Sequence, residues 1–255
     1  MRTLLVALLT ALAPFTALGV DAAPQTLDTV EQQIGEAWSK IDSYTATLKM
    51  EATIPKGFMT ISMKGSGPFE FMKIDGGPRY RSELLNTVDV GIPIPQSMAQ
   101  QNILTVYDGT TLYTEMKIAG KQKVAKRNPD AGTSRSPESG KALFESLRKK
   151  GELTLLPDAE VDGKPVFVVE VKPKAEGQKD APVEIGAIHI CILKDSGIQV
   201  KSEFLDTANK PFTTVHYTEI ALNAKVDPKR FVYIVPEGVK VDDLTDGKPI
   251  SGSLF

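Results

Sequence analysis

"DPKRFVYIVPEGVKVDDLT", residues 227–245, is the stretch on which the reading of the fold turns. Phe231 to Val235 is a run of aromatic and β-branched residues, which predicts a strand because such side chains suit a pleated, half-buried surface. Pro236-Glu237-Gly238 predicts a turn, with Gly238 supplying the backbone freedom. "VKVDD", 239–243, then predicts a second short strand. A strand, a turn and a short strand so late in the sequence point to a sheet whose last elements turn back at its margin.

Working outward from this stretch, the same signals recur. In "YTATLKMEATI" (44–54), Tyr44, Ala46, Leu48, Met50, Ala52 and Ile54 alternate with polar residues, which predicts a strand with one wet face. "FMTISMK" follows as a hairpin partner, and "GPFEFMKI" is a further strand with Phe69 and Phe71 on one side. "RYRSELLNTV" comes next. "ILTVYDGTTLYTEMKIAGKQKVAK" reads as three strands joined at Asp108-Gly109 and Gly120. "KPVFVVEVKP", "AIHICILK", the turn "DSG", "IQVKSEFLD" and "PFTTVHYTEIAL" continue the series. Turn signals fall roughly every eight to twelve residues, giving about ten or eleven strands in a barrel or sandwich.

Two segments read as helices. In "TLDTVEQQIGEAWSKI", Val30, Ile34, Ala37, Trp38 and Ile41 recur at helical spacing, with Thr26 or Asp28 as the cap. In "SPESGKALFESLRKKG", Ser136 caps, Pro137 takes the first position, Leu143, Phe144 and Leu147 form the stripe, and Gly151 ends it. Segments 91–101 and 172–185 read as insertions, the second as a polar loop.

The chain begins "MRTLLVALLTALAPFTALGVDAAP". A charged start, an apolar run of about ten residues and small residues after it form the secretory pattern. Residues 1–22 are expected to be a signal peptide cleaved after Ala22, with Gly19 as the alternative. Residues 23–255 are expected to form a single domain in a periplasmic or otherwise exported, soluble protein. No cysteine lies near the cleavage site to carry a lipid anchor. The net charge of −2 argues against a nucleic-acid partner, whose affinity rests on clustered cations. Cys191 is the one cysteine, so it has no partner within the chain, and its apolar surroundings predict a buried, inert thiol.

No catalytic constellation emerges. His189 and His216 each lie in a predicted strand without a second ligand at metal spacing, and are read as structural. Asp242 and Asp243 are neighbours on a strand and point to opposite faces. No phosphate loop, nucleophile elbow or zinc motif is present. The expectation is a non-enzymatic protein without cofactor or metal.

One long antiparallel sheet with two amphipathic helices must bury its apolar face. If it curls into an incomplete barrel, the helices lie across its mouth. The candidate lining is Leu48, Met50, Phe69, Phe71, Tyr113, Met116, Phe204 and Phe212, or the residues of alternate parity. Pattern alone leaves a solid core and a hollow that takes an apolar guest equally open.

The order of these landmarks resembles the periplasmic outer-membrane lipoprotein carrier family (LolA-like). The resemblance rests on "VDPKRFVYIVPEGVKVDD", "LDTVEQQIGEAWSKIDSYTATLKM", "GSGPFEFMK", "ILTVYDGTTLYTE" and "DSGIQVKSEF", and covers roughly residues 25 to 245. It implies a mainly β (α+β) fold, an unclosed antiparallel β-barrel whose concave face is covered by helices. It also implies binding of lipid or lipoprotein acyl chains, release to a membrane acceptor or export protein, and no cofactor. The family includes stress-sensing regulators, so an envelope sensor or structural protein binding a protein partner is the alternative. Where the dedicated carriers place a lid-controlling arginine, this sequence has Ile74; Arg79 and Arg81 nearby are either gating candidates or ordinary surface cations. Segment 91–101 has no counterpart in the family. It is either a lid element offering Ile92, Ile94 and Met98 or a packed loop.

Overall fold

Period-two alternation carries most of the chain into one sheet. The computed structural model describes residues 25–57, 59–128, 140–174 and 183–245. The expected leader, Ser136, Pro137 and most of the 172–185 loop lie outside them. In chain order the elements are α1 (Leu27–Ser39), β1 (Ser43–Lys56), β2 (Met59–Ile74), β3 (Gly77–Asp89), α2 (Gln96–Ala99), β4 (Gln100–Tyr107), β5 (Leu112–Ile118) and β6 (Lys121–Arg127). Then follow α3 (Gly140–Lys150), β7 (Gly151–Val161), β8 (Lys164–Pro173), β9 (Ile185–Leu193), β10 (Gln199–Asp206), β11 (Pro211–Leu222) and β12 (Val241–Asp243).

The sheet runs β12-β6-β5-β4-β3-β2-β1-β11-β10-β9-β8-β7, so its two edges do not meet. Every pairing is antiparallel except that of β12 with β6. This is an unclosed half-barrel.

Three differences from the sequence reading have physical causes. "MTISMK" and "GPFEFMKI" form one strand, β2, rather than two. The glycines between them permit close approach instead of a turn. A Cβ on Gly65 would lie 1.9 Å from Asn86 Oδ1, and one on Gly67 would lie 1.8 Å from the Glu83 carbonyl oxygen. Strand β7 was not anticipated, because Pro157 interrupts its pattern; a register shift between Leu156 and Ala159 accommodates it.

The third difference is in the opening stretch. Asp227 caps a 3₁₀ turn, Pro228–Phe231, by accepting from the Lys229 N–H at 3.0 Å. The residues after it are not part of the sheet until β12. The expected strand is therefore a strap. Its aromatic residues pack across the sheet instead of pairing along it, and Phe231 is 1 % exposed. The predicted turn does form. Val239 N–H bonds the Pro236 carbonyl at 3.2 Å, and Gly238 adopts φ 74°. The short last strand also forms, parallel to β6, with Val241 opposite Val124.

Helix α1 is capped by Thr26, whose side chain accepts from Thr29 N–H in a reciprocal capping box. Val30 and Ile34, with Leu143, Phe144 and Leu147 of α3, pack on Phe167, Val169, Val171, Ile190 and Ile192 of β8 and β9. Trp38 and Ile41 at the other end of α1 join a second cluster, centred on Tyr44, Phe69, Phe71 and Tyr80.

Candidate functional site

Cross-strand register defines the sheet face beneath Trp38, here called the inner face. One row runs Tyr44–Phe71–Tyr80–Tyr107–Leu112 across β1 to β5. Its rings interlock: Tyr44 and Phe71 stack at 5.2 Å, Tyr80 and Tyr107 lie at 5.3 Å, and Trp38 covers Phe71 at 5.1 Å. Burial, aided by the nearby Tyr217 phenol, pushes the Tyr44 hydroxyl well above its usual pKa. The protein's own side chains fill this end of the face.

Further along the face, Leu48 stands opposite Gly67, and Met116 opposite Ile103. The next row runs Val215–Met50–Gly65–Asn86–Gln101–Ile118. Beyond it, Ala52 faces Met63 and Met63 faces Val88. Met50, Met63, Ile103 and Met116 are half-buried and lie outside both core clusters. Asn86 and Gln101 sit among them, both buried.

Of the expected lining residues, Leu48, Met50, Phe69, Phe71, Met116 and Phe204 thus share one face, Phe204 through Thr213, which stands opposite Ala52. Phe69 and Phe71 belong to the packed aromatic core. Tyr113 faces the other way. It pairs with Val106 and stacks on Tyr233 of the strap at 4.9 Å. Phe204 and Phe212 meet each other at 6.4 Å beside a register shift between β10 and β11. They are not part of the aromatic core.

The gating candidates have other contacts. Arg79 lies against the Asp108-Gly109 turn, where a Cβ on Gly109 would lie 1.6 Å from its Nη1. Arg81 bonds Glu83 at 2.8 Å and donates to the Arg230 carbonyl at 3.3 Å, so it holds the strap on the outer face. In segment 91–101, Ile92 and Met98 are exposed and Ile94 is half-buried. Ala119 N–H bonds the Ser97 carbonyl at 3.0 Å, which ties the short helix α2 to the β5–β6 turn.

Two cavities adjoin these surfaces. One of about 210 Å³ is lined by Val161, Leu193, Val200, Tyr217 and Ile220 together with Asp162, Lys164, Thr218 and Glu219. Tyr217 meets Phe69 edge-on at 5.0 Å, so this cavity abuts the aromatic core. Beside it, His216 Nε2 bonds Asp162 at 2.9 Å, bridging the β7–β8 turn to β11. The other, of about 510 Å³, lies on the outer face and includes Arg81, Glu83, Leu85, Leu104, Glu115 and Lys117.

His189 bonds Glu170 at 3.2 Å, so each histidine pairs with a carboxylate. Cys191 is buried, and burial raises its thiol pKa. Among the described residues, no group of three or more His, Cys, Asp or Glu is placed to hold a metal. The sequence reading missed Asn86 and Gln101. The signal was present for Asn86, since Tyr80, Ser82, Leu84, Asn86 and Val88 alternate in "RYRSELLNTV".

No family model matches the chain, and no curated protein does. Among solved structures it is similar to a chain of the Pseudomonas aeruginosa MucA/MucB complex, with TM-score 0.45 and 15% identity over 81% of this chain. It spans 60% of that chain's length. It is also similar to a putative outer membrane lipoprotein-sorting protein domain from Vibrio parahaemolyticus, with TM-score 0.36 and 14% identity, covering 80% of this chain and 95% of that one. A third is the Mycobacterium tuberculosis lipoprotein LppX, with TM-score 0.40 and 12% identity, covering 79% and 97%.

Proposed function

We propose that this chain is an exported, non-enzymatic carrier that holds the acyl chains of a lipid or lipoprotein against the inner face of its half-barrel. One observation carries the reading. The inner face extends past the core that Trp38 and Ile41 cover, into the half-buried apolar side chains Met50, Met63, Ile103 and Met116. Each methylene taken from water onto such a surface contributes about 0.8 kcal/mol, so one acyl chain supplies most of a useful affinity. Methionine suits the task because its unbranched side chain adapts to irregular guests. No reaction is needed, and hand-over to a membrane acceptor completes the role. The leader-like residues 1–22 support export to the periplasm or beyond. Among the described residues, no helix is long and apolar enough to cross a membrane.

Native mass spectrometry of protein purified from its own envelope tests this directly, with co-purified lipid as the expected result. A delipidated sample that takes up no fluorescent fatty-acyl probe overturns the reading. A second reading, an envelope sensor or structural protein that binds a protein partner, is favoured by the strap. Val232 and Ile234 are 62% and 81% exposed on a segment outside the sheet ladder, a surface suited to an extended peptide. A stable partner in pull-downs, with no lipid in native spectra, selects it.

A further inference from the structure

Asn86 is 0% and Gln101 is 4% exposed, and the two face each other across β3 and β4. Three of their polar atoms, Asn86 Nδ2 and Oδ1 and Gln101 Oε1, are buried without a hydrogen-bond partner among the described residues. Buried side-chain amides are almost always satisfied, because leaving one unpaired forfeits its hydration for nothing. Two adjacent exceptions on one face call for a further partner. The glycine opposite Asn86 makes the arrangement possible, since a Cβ at Gly65 would overlap the amide.

We propose that Asn86 and Gln101 are a hydrogen-bonding anchor for the polar linkage of an acyl ligand whose chain lies on the neighbouring apolar side chains. This rests on the carrier reading and adds a ligand class to it. The unpaired atoms call for a group that both accepts, from Nδ2, and donates, to Oδ1 and Oε1. A secondary amide or a hydroxylated ester meets that need, and a plain hydrocarbon or a fully esterified lipid does not. The group is uncharged. Two of the three unpaired atoms are oxygens, which a carboxylate or phosphate cannot satisfy, and the cation that continues the row, Lys121 opposite Ile118, is exposed and two strands away from Gln101.

The test compares palmitoylethanolamide with n-hexadecane, each displacing a fluorescent acyl probe from the delipidated full chain. The proteins are wild type, Asn86→Leu and Gln101→Met, which approximate the side-chain shape and remove the unpaired polar atoms. Palmitoylethanolamide is expected to lose about tenfold in affinity in either variant, while hexadecane is unchanged. The unliganded variants are expected to melt at or above the wild-type temperature, because an unsatisfied group has been removed. An unchanged ratio between the two probes overturns the anchor, as does equal weakening of both. A marked fall in melting temperature with the ratio intact also overturns it, by showing that the amides serve the fold. Should Asn86→Leu fail to fold, Gln101→Met alone decides. Wild type that binds neither probe rejects the carrier reading itself, an outcome distinct from the others.

Discussion

Tyr233 donates a 2.7 Å hydrogen bond to the carboxylate of Glu115 on the outer face of the sheet. Glu115 also takes Lys117 Nζ at 2.7 Å, and its side chain is almost fully covered. Beneath Tyr233 lies the ring of Tyr113. Nearby, Arg230 bonds Glu70 at 2.6 Å and Glu83 at 3.2 Å. The strap is thus docked by one buried aromatic, Phe231, one stacked tyrosine and a set of ionic contacts. Of these the Tyr233–Glu115 bond has the least solvent access at its acceptor, so it contributes most among the polar ones. Tyr233→Phe removes only the hydroxyl and is expected to cost about 1–2 kcal/mol, because Lys117 still satisfies the carboxylate. Arg230→Ala is expected to cost about 1 kcal/mol or less, since its guanidinium is partly solvated. Chemical denaturation of the two variants checks the order.

The same bond gives the strap a pH window. Burial alone would raise the pKa of Glu115. Hydrogen bonds from Lys117, Tyr233 and Gln122 and the Lys117 charge overcome that and hold it below its usual value. A lowered carboxylate contributes stability above its unfolded pKa, about 4.3, and loses it as pH falls through the folded value. Tyr233 is shifted up, first by burial and then by the Glu115 bond and charge. Its contribution is full below the unfolded tyrosine pKa of about 10 and is lost as pH rises through the folded value. The stability difference between wild type and Tyr233→Phe is therefore expected to be flat from about pH 5 to 9 and to shrink beyond either end. A difference that persists unchanged at pH 3 contradicts the assignment.

Gly197 seats helix α1. It adopts φ 69° in the β9–β10 turn, and a Cβ there would lie 2.6 Å from the Ile34 carbonyl oxygen and 3.3 Å from Trp38 N. Gly197→Ala combines a left-handed backbone with a collision against a helix that spans both core clusters, and is expected to cost about 2–4 kcal/mol. Gly163→Ala, also left-handed at φ 72° but with open space at its Cβ, should cost only about 1 kcal/mol. Thermal melts of the pair separate collision from backbone strain.

These contacts also show what the sequence conveys. Alternation in "YTATLKMEATI" is a property of the residues themselves, so β1 and its buried side were legible. The helical spacing of Val30, Ile34 and Trp38 was legible for the same reason. Phe231 to Val235 has the composition of a strand whether it pairs along a sheet or lies across one, because burial against an outer face uses the same side chains. Pairing of Val241 with Val124 depends on contacts more than a hundred residues apart, which no local pattern encodes. In the candidate site, Leu48, Met50, Phe69, Phe71, Met116 and Phe204 sort together through register. Tyr113 does not, and its three-residue separation from Met116 on one strand already places the two on opposite faces.

That sorting separates residues that hold the fold from those offered to a guest. Phe71 is fully buried, touching Trp38 and Tyr44, so Phe71→Ala leaves a cavity and is expected to cost about 3–5 kcal/mol. Any loss of acyl uptake in that variant should follow its loss of fold. Met116 is half-buried, outside the core clusters, and opposite Ile103. Met116→Gln keeps the length of the side chain while adding a polar group to the face, and is expected to change stability by less than about 1 kcal/mol. Uptake of a fluorescent fatty-acyl probe should nevertheless fall about tenfold, because the guest would then bury an amide without a partner. Melting temperature and probe affinity measured on both variants give the contrast. Met116→Gln protein that binds the probe like wild type would place the acyl chain elsewhere, and the 210 Å³ cavity beside Tyr217 would be the next surface to probe.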